Sequence, residues 1–290
     1  MRDRIGAVGV TLHPLIDADT LAERLTGPEE WVVVDCRFRL TRPDAGYLAY
    51  QKGHIPGVRY AHLDHDLAMN PGPSDGRHPL PHPEHFATTL GAWGISDSSS
   101  VVAYDDASGA IAARLWWLLR WLGHERVAVL DGGLNTWRAR GLPLETATPT
   151  WRPVRYMPTT LHDEWIVTSD ALPQLLESGA LLFDARSEKR FHGIEEPIDP
   201  IAGHVPGAIN LPFTTTLTGE GTLLEAGRLK ECLSEVLDGC DIADVITMCG
   251  SGVTACHLLL ALNAAGLGEG RLYVGSWSEW IRDDDRPIAT

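Results

Sequence analysis

The chain has 290 residues, and its 39 acidic against 24 basic side chains give a formal net charge of −15. This excess of negative charge opposes non-specific binding to nucleic acid or to anionic membranes, so an anionic substrate would need a local positive cluster. No apolar run is long enough to cross a bilayer, and residues 1–8 lack the apolar stretch of a signal peptide.

Cysteine usage indicates a reducing compartment. The five cysteines, an odd number without a CxxC pair, fit neither a disulfide framework nor a zinc site. We therefore predict a cytoplasmic protein that carries no metal. Cys36 and Cys256 lie in apolar surroundings typical of small core residues, whereas Cys232 and Cys240 show no pattern that indicates a function.

Taken in chain order, the predicted elements alternate between strands and helices. The first half has apolar strands that end at Asp35 and Asp105, separated by a long Pro- and Gly-rich segment over 64–85. Three prolines mark residues 146–165 as a linker. Strands are predicted in the second half over 181–184, 209–211, 245–248 and 271–274. Helices are predicted over 172–176 with Ser169 as the N-cap, over 229–237, and over 255–265.

The two halves repeat one design. Residues 32–37 match 181–186, and the turn Gly53-His-Ile-Pro-Gly matches Gly203-His-Val-Pro-Gly. Residues 101–105 match 245–249, and 130–137 match 273–280, so four matches occur in order at offsets of 143 to 150 residues. This pattern indicates a duplicated domain, with one copy over 1–145 and the other over 166–290. Alternating strands and helices predict, in each copy, a parallel sheet covered by helices on both faces.

The segment after the strand over 245–248 carries the clearest chemical signal. The strand ends at Cys249, Gly-Ser-Gly follows, and an apolar helix begins where the glycines stop. The N–H groups of such a loop can point inward at the positive end of a helix, which favours the thiolate form of a cysteine. Cys249 is therefore a candidate nucleophile; a tight strand-to-helix turn that merely begins with cysteine is the alternative.

Together these motifs resemble the two-domain sulfurtransferases of the rhodanese family. The resemblance rests on Asp-x-Arg and Gly-His-Ile/Val-Pro-Gly, each present twice, and on Cys249-Gly-Ser-Gly-Val-Thr-Ala, and it covers about residues 10 to 288. It implies an α/β fold of two tandem rhodanese-like domains, of which only the second is catalytic. Asp105 stands where the second copy has Cys249, and a carboxylate cannot carry sulfur, so we expect the first domain to be inactive.

The residues after the cysteine distinguish two branches of that family. The thiosulfate branch typically has basic residues there, whereas Gly250 and Ser251 occupy these places here, as in the mercaptopyruvate branch. Resemblance to that branch implies that Ser251 acts with a histidine and an aspartate of the first domain. The matching residues are His78 and Asp66, with Asp64 as a neighbour that fits too. A hydroxyl polarised in this way could protonate or orient a leaving enolate; a loop histidine without a partner is the alternative.

Positive charge for the donor is expected from one arginine and from the loop backbone. Arg190 matches the substrate-binding arginine of both branches, and its planar guanidinium suits a carboxylate, although taken alone it could be a solvated helix charge. The mercaptopyruvate branch usually has a second arginine shortly before the Gly-His motif, but residues 195–202 contain none. The resemblance also implies donor contacts from the loop residues Gly250, Gly252, Val253 and Thr254.

Other matched residues are expected to serve the scaffold. Asp184 and Arg186 are predicted to brace loop ends rather than to take part in catalysis. His54 and His204 begin Pro-Gly turns in both copies, including the copy that is expected to be inactive, so we interpret them as structural.

The sequence thus predicts a sulfurtransferase without a cofactor. The Cys249 thiolate would take the sulfur of 3-mercaptopyruvate, and a thiol, cyanide or a protein dithiol would remove it from the resulting persulfide. Thiosulfate is the alternative donor. A phosphatase is disfavoured because residues 250–256 lack the arginine that holds phosphate, and a non-catalytic binding module is disfavoured by the intact cysteine loop. We expect a monomer that binds neither nucleic acid nor membranes.

Overall fold

The computed structural model describes residues 12–290. The segment over 1–8, where the sequence predicts no signal peptide, lies outside the described residues. In the part of the chain from residue 12 onward, no helix has the length and apolar character needed to cross a bilayer.

The first domain alternates strands and helices along the chain. Its strands are β1 (Leu15–Ile16), β2 (Trp31–Asp35), β3 (Arg59–Tyr60), β4 (Ser100–Tyr104) and β5 (Val127–Leu130). Its helices are α1 (Ala18–Thr26), α2 (Ala45–Lys52), α3 (Leu63–Asp66), α4 (Pro83–Ala92), α5 (Ala112–Trp121) and α6 (Gly133–Ala139).

The second domain follows the same order. Its strands are β6 (Ile166–Val167), β7 (Leu181–Asp184), β8 (Ile209–Asn210), β9 (Val245–Met248) and β10 (Arg271–Tyr273). Its helices are α7 (Leu172–Glu177), α8 (Glu188–Phe191), α9 (Ala226–Leu237), α10 (Ala255–Ala264) and α11 (Ser276–Trp280). Short 3₁₀ turns lie at Asp163–Trp165, Phe213–Thr216 and Ile242–Asp244.

The strands of each domain form one parallel sheet, and the two sheets have the same topology. Among residues 12–290 the orders are β1-β5-β4-β2-β3 and β6-β10-β9-β7-β8. Successive residues of β4 pack on opposite sides: Val101 and Ala103 join one apolar cluster, and Val102 and Tyr104 join another. Because both faces are buried, the strands read as continuous apolar runs. The predicted fold class, two tandem α/β domains with helices on both faces, is confirmed.

The two domains share a core built from the helices that follow their central strands. Helices α5 and α10 pack against each other, and a single apolar cluster contains Leu115 and Trp116 of α5 together with Leu258 and Leu259 of α10. All ten residues of α5 are buried. This packing brings the ends of β4 and β9 near the boundary between the domains.

Most predicted elements of the second domain lie where the sequence places them, but one cap differs. The helix predicted over 172–176 is α7, yet Ser169 does not cap it. The Ser169 hydroxyl is instead hydrogen-bonded to Tyr273 and Glu279, and the hydroxyl of Thr168 accepts the N–H of Ala171. Because Ser169 is buried against the sheet, its side chain cannot turn back to the helix end.

The repeated polar motifs brace the scaffold as predicted. Arg186 donates to the Asp184 carboxylate and to Gly203 O, and both side chains are almost fully buried. The first domain has the same arrangement at Arg37, Asp35 and Gly53. The two turn histidines bind backbone carbonyl groups of their own domains and stack on aromatic rings, as the sequence predicts for His54 and His204.

Candidate active site

Cys249 lies at the tip of β9, in a loop that is fixed to the segment after β10. Its N–H donates to Ser276 Oγ at 3.1 Å, and its carbonyl accepts the N–H of Trp277 at 3.0 Å. Gly252 has a φ of +74°, and a Cβ there would lie 2.5 Å from Val274 O. Only glycine fits this position, because the backbone is left-handed and presses on a neighbouring carbonyl. The loop that follows Cys249 is therefore held in one shape.

The backbone of the Cys249 loop offers donors that the rest of the protein does not use. Across the described part of the chain, no N–H group of residues 250–254 has a hydrogen-bond acceptor. These groups lie between the thiol and the start of α10, and such a concave array of N–H groups attracts anions. The predicted site residues Gly250, Val253 and Thr254 line the cavity at Cys249. Gly252 does not, since it packs beneath the loop against Val274.

The matching loop of the first domain is filled by its own side chain. The Asp105 carboxylate accepts the N–H groups of Ala107 at 2.8 Å, Gly109 at 2.9 Å, Ile111 at 2.8 Å and Ala112 at 2.9 Å. Asp105 is fully buried. In this copy the loop N–H groups are thus bound by a carboxylate of the protein, whereas those that follow Cys249 have no acceptor among residues 12–290.

The Asp105 carboxylate should therefore be important for stability. Asp105→Ala would leave four N–H groups without their acceptor, and we expect it to lower the free energy of unfolding by roughly 3 kcal/mol or more. Urea denaturation followed by circular dichroism measures this loss. Asp106→Ala is the matched control, since Asp106 pairs with Arg39 at the surface. Equal stabilities of the two variants would contradict the anchoring role of Asp105.

Ser251, His78 and Asp64 form a hydrogen-bonded chain next to Cys249. His78 Nδ1 lies 2.7 Å from Ser251 Oγ, and His78 Nε2 lies 3.1 Å from Asp64 Oδ1. Ser251 and His78 are buried, whereas Asp64 reaches partly to the surface. The structure thus joins the histidine of the first domain to the serine of the second, as the sequence predicts.

The pairing predicted for Asp66 is wrong, and its neighbour Asp64 takes that place. Asp66 Oδ2 accepts the N–H of His62 at 2.7 Å, so its carboxylate turns back to the start of α3. Burial raises the pKa of Asp66, and the His62 N–H opposes this effect. Two residues apart on a short helix, the two aspartates point in different directions, and only Asp64 faces the His78 ring.

The surroundings of the His78 ring set its protonation. Burial lowers the pKa of His78 below its ordinary value, and the hydrogen bond to Asp64 only partly opposes this. The hydrogen bond from His78 lowers the pKa of Asp64, which is therefore an ionised acceptor near neutral pH. A neutral ring then carries its proton on Nε2, toward Asp64, and Nδ1 accepts the Ser251 hydroxyl proton. The site holds a base that can take a proton from Ser251 and return it.

Arg190 lies over the Cys249 loop and is held by two buried carboxylates. Its Nε donates to both oxygens of Glu196 at 3.0 Å, and its Nη2 donates to Asp199 at 2.9 Å. Burial raises the pKa of Glu196, but hydrogen bonds from Arg190 and from Asp199 N–H outweigh it and lower the pKa. Arg190 is thus a positioned side chain that lines the cavity and not a solvated helix charge.

The structure brings a second arginine to the loop, which the sequence interpretation missed. Arg77 lines the same cavity and binds the other oxygen of Asp199. The residue directly precedes His78, so once His78 is placed against Ser251 its neighbour must lie close to the loop as well. Sequence adjacency was the signal that could have identified Arg77.

Arg114 fastens the loops of the two domains together from below. Its guanidinium, fully buried in α5, donates to Gly252 O and His78 O, both at 3.1 Å, and to Leu67 O at 3.4 Å. Burial lowers the pKa of Arg114, and the nearby thiols of Cys256 and Cys249 oppose this effect. A buried cation therefore lies close to the candidate nucleophile.

These residues enclose a cavity of about 180 Å³ that both domains line. Phe38, Leu63 and Ile111 of the first domain and Ile198 of the second supply its apolar wall. A larger groove of about 580 Å³ lies between α4 and residues 153–158, but its lining contains neither cysteine nor histidine. In the cavity at Cys249, by contrast, a nucleophile, a base and cations converge.

The remaining cysteines are unlike Cys249. Cys249 is only 2% exposed but lines the cavity, whereas Cys36 and Cys256 are fully buried and do not line it, and burial raises the pKa of Cys256 to about 12. Cys232 and Cys240 are partly exposed and line none of the cavities described above. Over residues 12–290, no group of three or more His, Cys, Asp or Glu side chains could hold a metal ion.

Comparison with known proteins identifies the class. The rhodanese-like domain family matches residues 17–140 and 168–283, and the chain belongs to this family. The chain is 46% identical over 279 residues to a probable 3-mercaptopyruvate sulfurtransferase of Pseudomonas aeruginosa, covering 95% of this chain and 98% of that protein. It is 38% identical over 278 residues to a putative thiosulfate sulfurtransferase of Mycobacterium tuberculosis, covering 94% and 96% of the two chains.

Solved structures agree in fold. The 3-mercaptopyruvate sulfurtransferase of Leishmania major superposes with a TM-score of 0.81 at 33% identity, covering 92% of this chain and 73% of that chain. A 3-mercaptopyruvate sulfurtransferase structure from Escherichia coli gives a TM-score of 0.77 at 32% identity, covering 92% and 100%. Both relatives belong to the enzyme class that the sequence predicts, the sulfurtransferases.

Proposed function

We propose that the protein transfers sulfur from 3-mercaptopyruvate to a thiol or cyanide acceptor through a persulfide on Cys249. The observation that carries this proposal is the convergence of Cys249, the Ser251–His78–Asp64 chain and an arginine in one small cavity. Each group has a task in this reaction. The names of the P. aeruginosa and L. major relatives support the same donor.

In the first half-reaction, the Cys249 thiolate attacks the sulfur of 3-mercaptopyruvate. An S–S bond forms, the C–S bond breaks, and its electron pair leaves as the enolate of pyruvate. The enolate takes one proton to become pyruvate, and the Ser251 hydroxyl, with His78 and Asp64 behind it, would relay to it the proton that the donor's S–H group brings into the site. Arg190 binds the donor carboxylate, and the free N–H groups of residues 250–254 stabilise the charged sulfur.

In the second half-reaction, an acceptor attacks the outer sulfur of the persulfide. A thiol leaves as a new persulfide, or cyanide leaves as thiocyanate, and the Cys249 thiolate is restored. A protein dithiol would act in the same way and release sulfide after forming its own disulfide. No cofactor is needed, because the two half-reactions balance in electrons with donor and acceptor alone.

Thiosulfate is the second candidate donor. The observation that favours it is the presence of two guanidinium groups beside the loop, since sulfite is a doubly charged leaving group. The name of the M. tuberculosis relative agrees with it. Against it, sulfite departs without needing a proton, which would leave the Ser251–His78–Asp64 chain without a role. Parallel steady-state assays with both donors decide, and a parent enzyme with the higher kcat/KM for thiosulfate would overturn our preference.

The hydroxyl and the imidazole should matter for one donor more than for the other. We expect Ser251→Ala and His78→Ala to lower kcat with 3-mercaptopyruvate by roughly 100-fold, because the enolate loses its proton source. With thiosulfate the loss should be clearly smaller, since no proton is transferred. Turnover of both donors is measured on each variant. Ser98→Ala, a substitution at an exposed serine, is the control and should leave both activities unchanged. Equal losses on the two donors would contradict the proton-transfer role.

We further propose that the first domain, numbered 1–145 with a linker over 146–165, carries no sulfur. What supports this is the Asp105 carboxylate, which fills the loop that Cys249 leaves open in the domain over 166–290. A cytoplasmic location and a monomeric state remain predictions from the sequence.

A further inference from the structure

The segment around Arg77 is fixed against the second domain by several contacts. The Arg77 N–H donates to Ser278 Oγ at 3.0 Å. The preceding Gly76 lies so close that a Cβ on it would be 2.6 Å from Gly275 O. The following His78 binds Ser251. The backbone of residues 76–78 therefore holds the Arg77 side chain at the mouth of the Cys249 loop.

The Arg77 guanidinium occupies the space directly above Gly250. A Cβ built on Gly250 would lie 2.8 Å from Arg77 Nη2 and 3.5 and 3.6 Å from the two Nη atoms of Arg190. Two guanidinium groups, one from each domain, thus converge on the residue that follows the nucleophile. Glycine at 250 leaves room for them, and a side chain there would push Arg77 aside.

Asp199 holds the two arginines next to each other. One of its oxygens binds Arg77 Nη1, and the other binds Arg190 Nη2. Asp199 is buried, and it belongs to the segment over 195–202, which lacks the arginine usual in the mercaptopyruvate branch. Instead of an arginine, this segment supplies a carboxylate that binds one.

Each of the two arginines keeps a donor for a ligand. Within residues 12–290, neither Arg77 Nη2 nor Arg190 Nη1 has a hydrogen-bond acceptor, and both side chains line the cavity that contains Cys249. One free N–H donor of each arginine therefore lies beside the same small cavity. Such a pair of donors can bind the two oxygens of a carboxylate.

We propose that Arg77 of the first domain, together with Arg190 of the second, binds the carboxylate of a 2-oxo acid donor. This inference rests on the proposed function, because it assigns the donor's carboxylate end to a pair of residues from different domains. Arg77 would then do the work of the second arginine that is missing from residues 195–202. The donor is then recognised only when both domains are docked.

Binding to protein that cannot react tests this proposal separately from turnover. In a Cys249→Ser background, isothermal titration with 3-mercaptopyruvate measures Kd directly. We expect Arg77→Ala to raise Kd roughly tenfold or more, and Arg77→Lys, which keeps the charge but not the fork, to raise it less. Arg228→Gln, a change in an exposed arginine on α9, is the matched control.

A second variant tests the contact between Arg77 and Gly250. Gly250→Ala should raise Kd because the new methyl group displaces the Arg77 guanidinium, and it should add little once Arg77 is already alanine. Additive effects of the two substitutions would overturn the proposal, as would an unchanged Kd in Arg77→Ala or undetectable binding in the Cys249→Ser parent. If instead Kd rises as expected but reactive enzyme forms no persulfide, the proposed function fails and the assignment of Arg77 stands.

Discussion

Cys249→Ser should abolish sulfur transfer while leaving the fold intact. Serine is nearly isosteric with cysteine, but its hydroxyl is a far weaker nucleophile and cannot hold a persulfide, so we expect kcat to fall by roughly a thousandfold or more. Mass spectrometry of the intact protein after exposure to donor should show one added sulfur on the parent and none on the variant.

Cys232→Ser is the matched control for the nucleophile. Cys232 is a partly exposed thiol on α9, and its loss should leave both turnover and the added sulfur unchanged. If Cys249→Ser still cyanolysed donor sulfur at nearly the rate of the parent, another cysteine would carry the sulfur and the mechanism would be wrong.

Arg190→Ala should lower kcat/KM by roughly 10–150-fold. This corresponds to the loss of about 1.5–3 kcal/mol of binding free energy, which is typical of a charge-assisted, bidentate contact. Arg190→Lys should recover only part of this, because an ammonium group lacks the planar fork. The alanine variant should also unfold at a lower temperature, because Glu196 and Asp199 would remain buried without one of their cations. Steady-state kinetics and thermal denaturation separate the two effects.

The adjacent Lys189 supplies the control for Arg190. Its side chain is exposed and pairs with Glu195 at the surface, so Lys189→Ala should change neither kinetics nor stability measurably. A lysine variant of Arg190 with parental kinetics would show that its guanidinium does not bind the donor.

The fold was predictable because the apolar runs, the turn residues that bound them and the alternation of strands and helices all indicate the same parallel sheets. The strand over 245–248 is an apolar run bounded by a turn and by glycines, and its central place in a parallel sheet needs no pattern beyond that run. The helix α10 was likewise predictable, because a long apolar segment begins where the glycines of the loop end. The cap at Ser169 failed because burial against Tyr273, a contact distant in sequence, competes with the local hydrogen bond.

The site was predictable only as far as its motifs reach. Cys249 and Ser251 lie in one loop, so their proximity follows from the sequence. The choice between Asp64 and Asp66 depends on the direction in which a four-residue helix turns its side chains, and spacing alone does not determine this. The placement of Arg77 depends on how the segment over 64–85 docks onto the other domain, which is a tertiary contact without a local pattern.

Because both domains line the cavity, neither domain can be replaced independently of the other. The first domain, which has Asp105 in place of the nucleophile, still contributes Asp64, His78 and Arg77, and its helix α5 forms a common core with α10. An exchange at the linker that replaced one half with a distant relative's would separate the nucleophile from its proton carrier. A substitution in either domain at this cavity is therefore constrained by the side chains of the other domain.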